Sequence, residues 1–445
     1  MPHAFGFRPR CGRLVAAVLL FSLPTTTALG CEALVGIETV VAGAPAGAAG
    51  SSGCVVCDGS CQSVHSVERC GSCETACGPG EACLGGVCDR TMRAGPGART
   101  ICLRDSSGAL RCRGANEFGQ LGVGTVSPAE PAWMAPLLGG ERGTFSVSSG
   151  DVACFRLGSG EVACAGTNAR GGLGAANGSG QSPIVRPSGL LGPIHDLAAG
   201  PTTPLGSPVC ALSRVSGAFC WGIGPENAGA GVTRVDLDGA DVAQVEVGAG
   251  FACFLGETGS IHCRGIVGET APSSSSELQV VPAPPARALA AGAHAACLVD
   301  GEGGVWCWGS ARSGQLGEGT FVDRSTGVPV RVAASLAEPV LQVVGGAAHF
   351  CALDRAGSVL CWGDARSVGD GLAAGSPCGG GPCRTTPERV PIADIVELAA
   401  ASGVTFARRR DGAIFAWGTS SAAECLLGPT CEDVTWLLPT RVELP

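Results

Sequence analysis

Residues 293–317 read Ala293-His294-Ala-Ala-Cys297-Leu-Val-Asp-Gly-Glu-Gly303-Gly304-Val-Trp-Cys307-Trp308-Gly309-Ser-Ala-Arg-Ser-Gly314-Gln-Leu-Gly317. Two short apolar runs flank a polar, glycine-containing turn, which is the signal of a β-hairpin. A three-residue hairpin loop wants its last residue left-handed, and Gly303 takes that conformation without a Cβ penalty. Folding about such a loop sets Cys297 and Cys307 directly opposite on antiparallel strands. The expected Cα separation, about 4.5–5.5 Å, lies inside the disulfide window. Trp308 follows Cys307 and so faces the other side of its strand. One face then holds the cross-link, and the other offers aromatic area to a neighbouring sheet.

The spacing recurs along the chain. Cys102 pairs with Cys112, Cys154 with Cys164, Cys210 with Cys220, Cys253 with Cys263, Cys297 with Cys307 and Cys351 with Cys361, each with nine intervening residues. Phe406 and Ala416 hold the same two positions in a seventh unit, followed by Trp417-Gly418. First members lie 52, 56, 43, 44, 54 and 55 residues apart, a period that suits β-propeller blades. Gly stands six residues after the first position as Gly108, Gly160, Gly259, Gly303, Gly357 and Gly412; unit three has Ser216 there and Gly217 next, so its turn should differ. Each cross-link closes a short loop and is expected to contribute at most ~3 kcal/mol. Zinc is disfavoured, because no His accompanies the pairs at ligand spacing. Two further pairs, Cys378 with Cys383 and Cys425 with Cys431, lie in the long connections after the last two Trp-Gly elements. They close small loops or link units six and seven, and pinned long loops are a reasonable place for a binding surface.

Gly-x-x-His-x-Cys-x-Leu, then Gly-x-Val-x-Cys-Trp-Gly and Gly-Gln-Leu-Gly, resembles the repeat of the regulator-of-chromosome-condensation family, with 293–317 the clearest copy. The resemblance implies an all-β fold, a seven-bladed β-propeller of four-stranded blades around an axial channel. Seven units and a strand-like Thr440-Arg-Val-Glu-Leu444 suit ring closure, which would hide the edges of the terminal blades. The resemblance also implies loops on one face presented to a partner protein.

Upstream of the repeats, Arg8, Arg10 and Arg13 precede an apolar stretch from Leu14 to Leu23, an export signal over 1–30. Ala28-Leu29-Gly30-Cys31 looks like a bacterial lipobox, with Ala28 where that motif favours Leu, and this implies lipidation of Cys31. Ordinary cleavage nearby is the alternative. Of 26 cysteines, Cys11 leaves with the signal and lipid takes Cys31; 26 − 2 = 24, an even number able to pair. Residues 31–53 read as a lipid-anchored tether. Eight cysteines between Cys54 and Cys88 make 54–90 a module that needs cross-links to fold, of undetermined connectivity. The stretch from Cys70 to Cys88 resembles stigma-specific-protein-like modules. Residues 91–445 form the propeller.

Composition removes several chemistries. All 29 basic residues are Arg and there is no Tyr, so P-loop, Schiff-base lysine and catalytic tyrosine mechanisms are absent. A net charge of −9 without a basic cluster argues against nucleic acid. No nucleophile elbow, zincin or dinucleotide motif occurs, and no cofactor is expected. His294 and His349, three and two residues before a repeat cysteine, read as packing residues. Asp236, Asp238 and Asp241 lack a full calcium loop and read as a turn, while Arg408, Arg409 and Arg410 read as a solvated charge cluster. The expectation is a monomeric binding module for an extracellular or envelope protein or glycan, anchored in the outer membrane or at the cell surface, or otherwise secreted. A hydrolase or lyase at the channel mouth is the alternative. Nucleotide exchange on a small GTPase comes last, because an exported protein does not meet cytosolic GTPases.

Overall fold

The computed structural model describes residues 92–444 apart from 105–108, 139–142, 149, 169–170, 176–180, 205, 223–230, 238–240, 266, 268–277, 322–324 and 334–337. It also describes three short strand pairings upstream, Cys54–Cys57 with Ser60–Ser63, His65–Ser66 with Arg69–Cys70, and Ala82–Leu84 with Val87–Asp89. The signal, the tether, Cys31, Gly108 and Asp238 lie outside the described residues.

Seven antiparallel sheets follow one another, each built from consecutive strands. Their innermost strands are Met92–Arg93, Gly143–Ser148, Ile194–Ala199, Val242–Gly248, Ala286–Ala291, Val340–Gly345 and Ile395–Ala401, which define blades 1 to 7. These strands run side by side around the axis, and Met92–Arg93 lies between those of blades 2 and 7. Small residues, among them Ala198, Ala199, Ala290, Ala291, Ala399, Ala400 and Ala401, allow the strands to converge there. The fold is therefore a seven-bladed β-propeller. In every blade the first and third connections share one end of the ring, here the loop end, and the central hairpin turn points to the other, the hairpin end.

All six repeat pairs are disulfides in register across their hairpins: Cys102 with Cys112, Cys154 with Cys164, Cys210 with Cys220, Cys253 with Cys263, Cys297 with Cys307 and Cys351 with Cys361. Their Cα separations are 4.0–4.1 Å, shorter than the 4.5–5.5 Å expected from the spacing, which corrects that figure for every pair. In blade 2, backbone bonds join Thr167 to Asp151 and Leu157 to Glu161, so alternation makes Cys154 and Cys164 a non-hydrogen-bonded pair, the closer of the two kinds. Disulfides pack on the following blade. Cys154 and Cys164 lie with Trp221, Cys253 and Cys263 with Trp308, Cys297 and Cys307 with Trp362, and Cys351 and Cys361 with Trp417. In blade 3, where no Trp follows in the next unit, Cys210 and Cys220 lie with Phe254 and Val245 of blade 4.

The residue two after the second cysteine is Gly in all seven units, even where Trp is missing: Gly114, Gly166, Gly222, Gly265, Gly309, Gly363 and Gly418 all have positive φ. A Cβ there would fall 2.0–2.6 Å from a carbonyl oxygen of the adjacent strand. The hairpin glycines behave as expected, Gly303 at φ 89° and Gly357 at φ 79°, and in blade 3 the left-handed residue moves on by one to Gly217. Val434–Val442 is the outermost strand of blade 7, paired with Ile414–Ser420, and blade 1 is complete from its own residues, so the ring closes by packing rather than by strand exchange. Outermost strands carry Pro128, Pro131, Pro183, Pro329, Pro387 and Pro439, which remove edge donors and discourage pairing with other chains.

Candidate interaction surface and axial channel

A buried arginine crosses the axis. Arg93, on the two-residue innermost strand of blade 1, reaches across to Asp196 of blade 3 and Glu246 of blade 4. Its Nη2 donates to Glu246 Oε1 and to the Val245 carbonyl, each at 2.9 Å. Burial by itself would lower the guanidinium pKa, but the two carboxylates hold it above its ordinary value. Beside it a cavity of about 50 Å³, lined by Gln244, Gln342 and Leu398 among others, has room for a few waters.

Neighbouring innermost strands are stitched by side chains that reach backbone groups. Asp196 Oδ2 accepts from Val245 N at 2.8 Å. Gln244 donates to the Leu289 carbonyl at 2.7 Å and accepts from its N–H, and Gln342 repeats the pattern on Leu398. Glu397 Oε1 accepts from Met92 N at 3.0 Å, joining blade 7 to blade 1. Sequence reasoning passed over these residues and Arg93. A signal was present: Gln244, Gln342 and Glu397 each stand nine residues before the first cysteine position of their unit.

The other singled-out residues take structural positions. His349 is fully buried, Nε2 2.8 Å from Thr405 Oγ1, and desolvation lowers its pKa to about 4. Arg408 departs from the expected solvated cluster: it is buried between Glu397, 3.5 Å away, and the Arg104 carbonyl, because its strand position faces blade 1. Arg409 and Arg410 are at the surface, with Arg409 paired to Asp411. Asp236 and Asp241 are exposed, and no group of three metal-ligating side chains occurs among the described residues. A cleft of about 520 Å³ opens at the hairpin end between blades 2 and 3, where Arg186 and Glu161 pair with each other.

At the loop end, the Gly-Gln-Leu-Gly element is an acceptor for the next blade. Trp362 Nε1 donates to the Gln315 carbonyl at 2.8 Å, and Trp221 Nε1 to that of Gly172 at 3.0 Å. Cys378 and Cys383 are joined at the tip of a hairpin, Ser376–Cys378 with Gly381–Arg389, that adds a fifth strand to blade 6. Gly380 N donates to the Arg312 carbonyl at 3.0 Å, which rests the hairpin on blade 5. Arg384 and Asp370, both largely buried, pair at 2.6 Å beneath it. Cys425 and Cys431 are joined within the corresponding loop of blade 7. Each pair therefore closes its own loop, and neither links blades 6 and 7. Leu372, in the blade 6 loop, and Leu438, on the outermost strand of blade 7, stand 61% and 50% exposed.

Residues 302–353 and 340–367 match family models of the regulator of chromosome condensation (RCC1) repeat. Residues 302–367 thus carry RCC1-type repeats, and the ring to which they belong is a seven-bladed β-propeller. It is 32% identical over 127 residues to the probable E3 ubiquitin-protein ligase HERC6 of Homo sapiens, a match covering 28% of this chain and 12% of that protein. To the human E3 ubiquitin-protein ligase HERC2 it is 28% identical over 136 residues, 29% of this chain and 3% of that one. The chain thus spans a small part of these relatives. Among solved structures, Prp20p from Saccharomyces cerevisiae is similar with a TM-score of 0.62 and 18% identity, covering 75% of this chain and 85% of its own. Human WBSCR16 is similar with a TM-score of 0.60 and 19% identity, covering 71% and 85%. These two likenesses show the fold.

Proposed function

We propose that this chain is an exported, lipid-anchored propeller that binds a partner protein of the bacterial cell envelope through its loop end. The observation that carries the reading is that two disulfides outside the repeat pattern, Cys378–Cys383 and Cys425–Cys431, stiffen loops at that one end, the first in the connection that exposes Leu372. Ordering an exposed loop before contact reduces the entropy lost on binding. Met92–Arg93 enters the ring from the hairpin end, since Met92 pairs with Leu103. Prp20p, whose structure was described with its binding to Gsp1p and histones, is a propeller of this fold that engages proteins. Asp196 and Glu246 are tied to Arg93, so no observation favours a hydrolase or lyase in the channel.

A photo-crosslinking side chain placed in the full-length protein at Leu372, or at Val215 on the hairpin end, tests the reading in envelope preparations. Val215 is 80% exposed and serves as the control. Adducts with one envelope protein from position 372 and none from 215 are expected. Adducts from 215 alone, or from neither position, would overturn the proposal.

A further inference from the structure

Six of the seven blade junctions have a disulfide packed against the following blade; the junction of blade 7 with blade 1 has Phe406 and Ala416 instead. On the blade 1 side of that seam, Arg113 stands where the better-kept units have Trp. Both features that fasten neighbouring blades are therefore missing where the ring must close.

The blade 7 loop fills their place. Arg113 is buried, donates from Nε to the Cys425 carbonyl at 3.2 Å and from Nη2 to the Gly428 carbonyl at 2.6 Å, and lies 5.4 Å over the Trp133 ring. Leu426 and Leu427, between those two carbonyls, are buried with Met92, Ile101 and Leu103 of blade 1. Gly114 lets the loop approach: a Cβ there would lie 3.1 Å from the Glu424 carbonyl. On the blade 7 side, Ser402 Oγ donates to Glu424 Oε1 at 2.6 Å and Leu426 N to Ser420 Oγ at 2.8 Å. Cys425 is held at φ 51°, a left-handed conformation that is unfavourable for a non-glycine residue and persists only where its surroundings fix it. That conformation accompanies a carbonyl aimed at Arg113 and a side chain tied to Cys431.

We propose that residues 421–433 are the latch of the ring, a disulfide-stiffened strap that holds blade 7 on blade 1 through Arg113 and the Leu426-Leu427 pair. The seam is then the place where the ring opens. The proposal is independent of what the loop end binds.

Hydrogen–deuterium exchange on the full chain tests it. Wild type is compared with the double variant Cys425→Ser, Cys431→Ser, and with Cys378→Ser, Cys383→Ser as a loop-only control. Freeing the latch should raise exchange at least tenfold in peptides covering 92–104 and 395–409, with 242–300 unchanged and no such effect in the control. Arg113→Leu keeps both disulfides and should loosen the same two peptides, which decides the matter if the cysteine variant does not fold. Wild-type exchange at the seam in Arg113→Leu, or equal acceleration in all blades, would overturn the proposal.

Discussion

Replacing Arg93 by Ala removes a side chain that crosses the axis of the ring. Its guanidinium pairs with Asp196 and Glu246 and donates to the Val245 carbonyl, in surroundings where Arg93 is only 7% exposed. Breaking a buried ion pair from one side leaves an uncompensated charge and costs on the order of 3–5 kcal/mol. Asp196 keeps its bond from Val245 N, and water can enter the adjoining cavity, so the lower part of that range, about 3 kcal/mol, is expected. Without Arg93, the two enclosed carboxylates lose their cation. Urea unfolding of the full chain at pH 7, followed by Trp fluorescence, should show the deficit. Adding Asp196→Asn and Glu246→Gln to an Arg93→Met background should recover most of it, since neutral groups have no charge to compensate. A loss below about 1 kcal/mol for Arg93→Ala, or no recovery on neutralising the two carboxylates, would refute the reasoning.

Gly363→Ala should destabilise by about 3 kcal/mol or prevent folding, because φ is 106° and a Cβ would fall 2.4 Å from the Ala348 carbonyl; Gly301→Ala, with nothing within 4 Å, should be near neutral in the same assay. His349 has a folded pKa of about 4 against 6.5 in the unfolded chain, so its neutral burial stabilises fully above pH 6.5 and is lost as pH falls towards 4, about 3 kcal/mol in all. Replacing it with Gln should flatten that part of a stability–pH curve. Trp362→Phe should cost about 1–3 kcal/mol more than Trp417→Phe in thermal unfolding, because the first leaves the Gln315 carbonyl without its donor whereas Trp417 Nε1 has no acceptor to lose.

The repeat was legible because its physics is local. Cysteines ten positions apart about a left-handed Gly set the hairpin, and seven copies set the ring, so Cys297, Cys307 and Trp308 lie as the spacing implies. What escaped the sequence reading depends on curvature and closure. Arg93 is unremarkable in sequence and matters only because a two-residue strand brings it to the axis. Arg408 reads as surface charge within Arg408-Arg-Arg410, yet strand alternation turns it to blade 1. Arg113 looks like a degenerate Trp position, and its use emerges only once blade 7 returns beside blade 1. The loop disulfides, Cys378 with Cys383 and Cys425 with Cys431, were visible as pairs, but their common end of the ring required the topology.

The most direct measurement of the account is a thiol count and lipid label on the mature protein taken from its own cells. Denatured without reductant, the protein should react with no alkylating agent; after reduction it should expose 24 thiols, the 26 encoded less Cys11 and Cys31. Labelling with fatty acid should be blocked by globomycin. Peptide mapping should recover the six hairpin linkages, Cys102 to Cys112, Cys154 to Cys164, Cys210 to Cys220, Cys253 to Cys263, Cys297 to Cys307 and Cys351 to Cys361. Free thiols at those positions in protein recovered from the cytosol, without lipid, would contradict the stapled, exported ring.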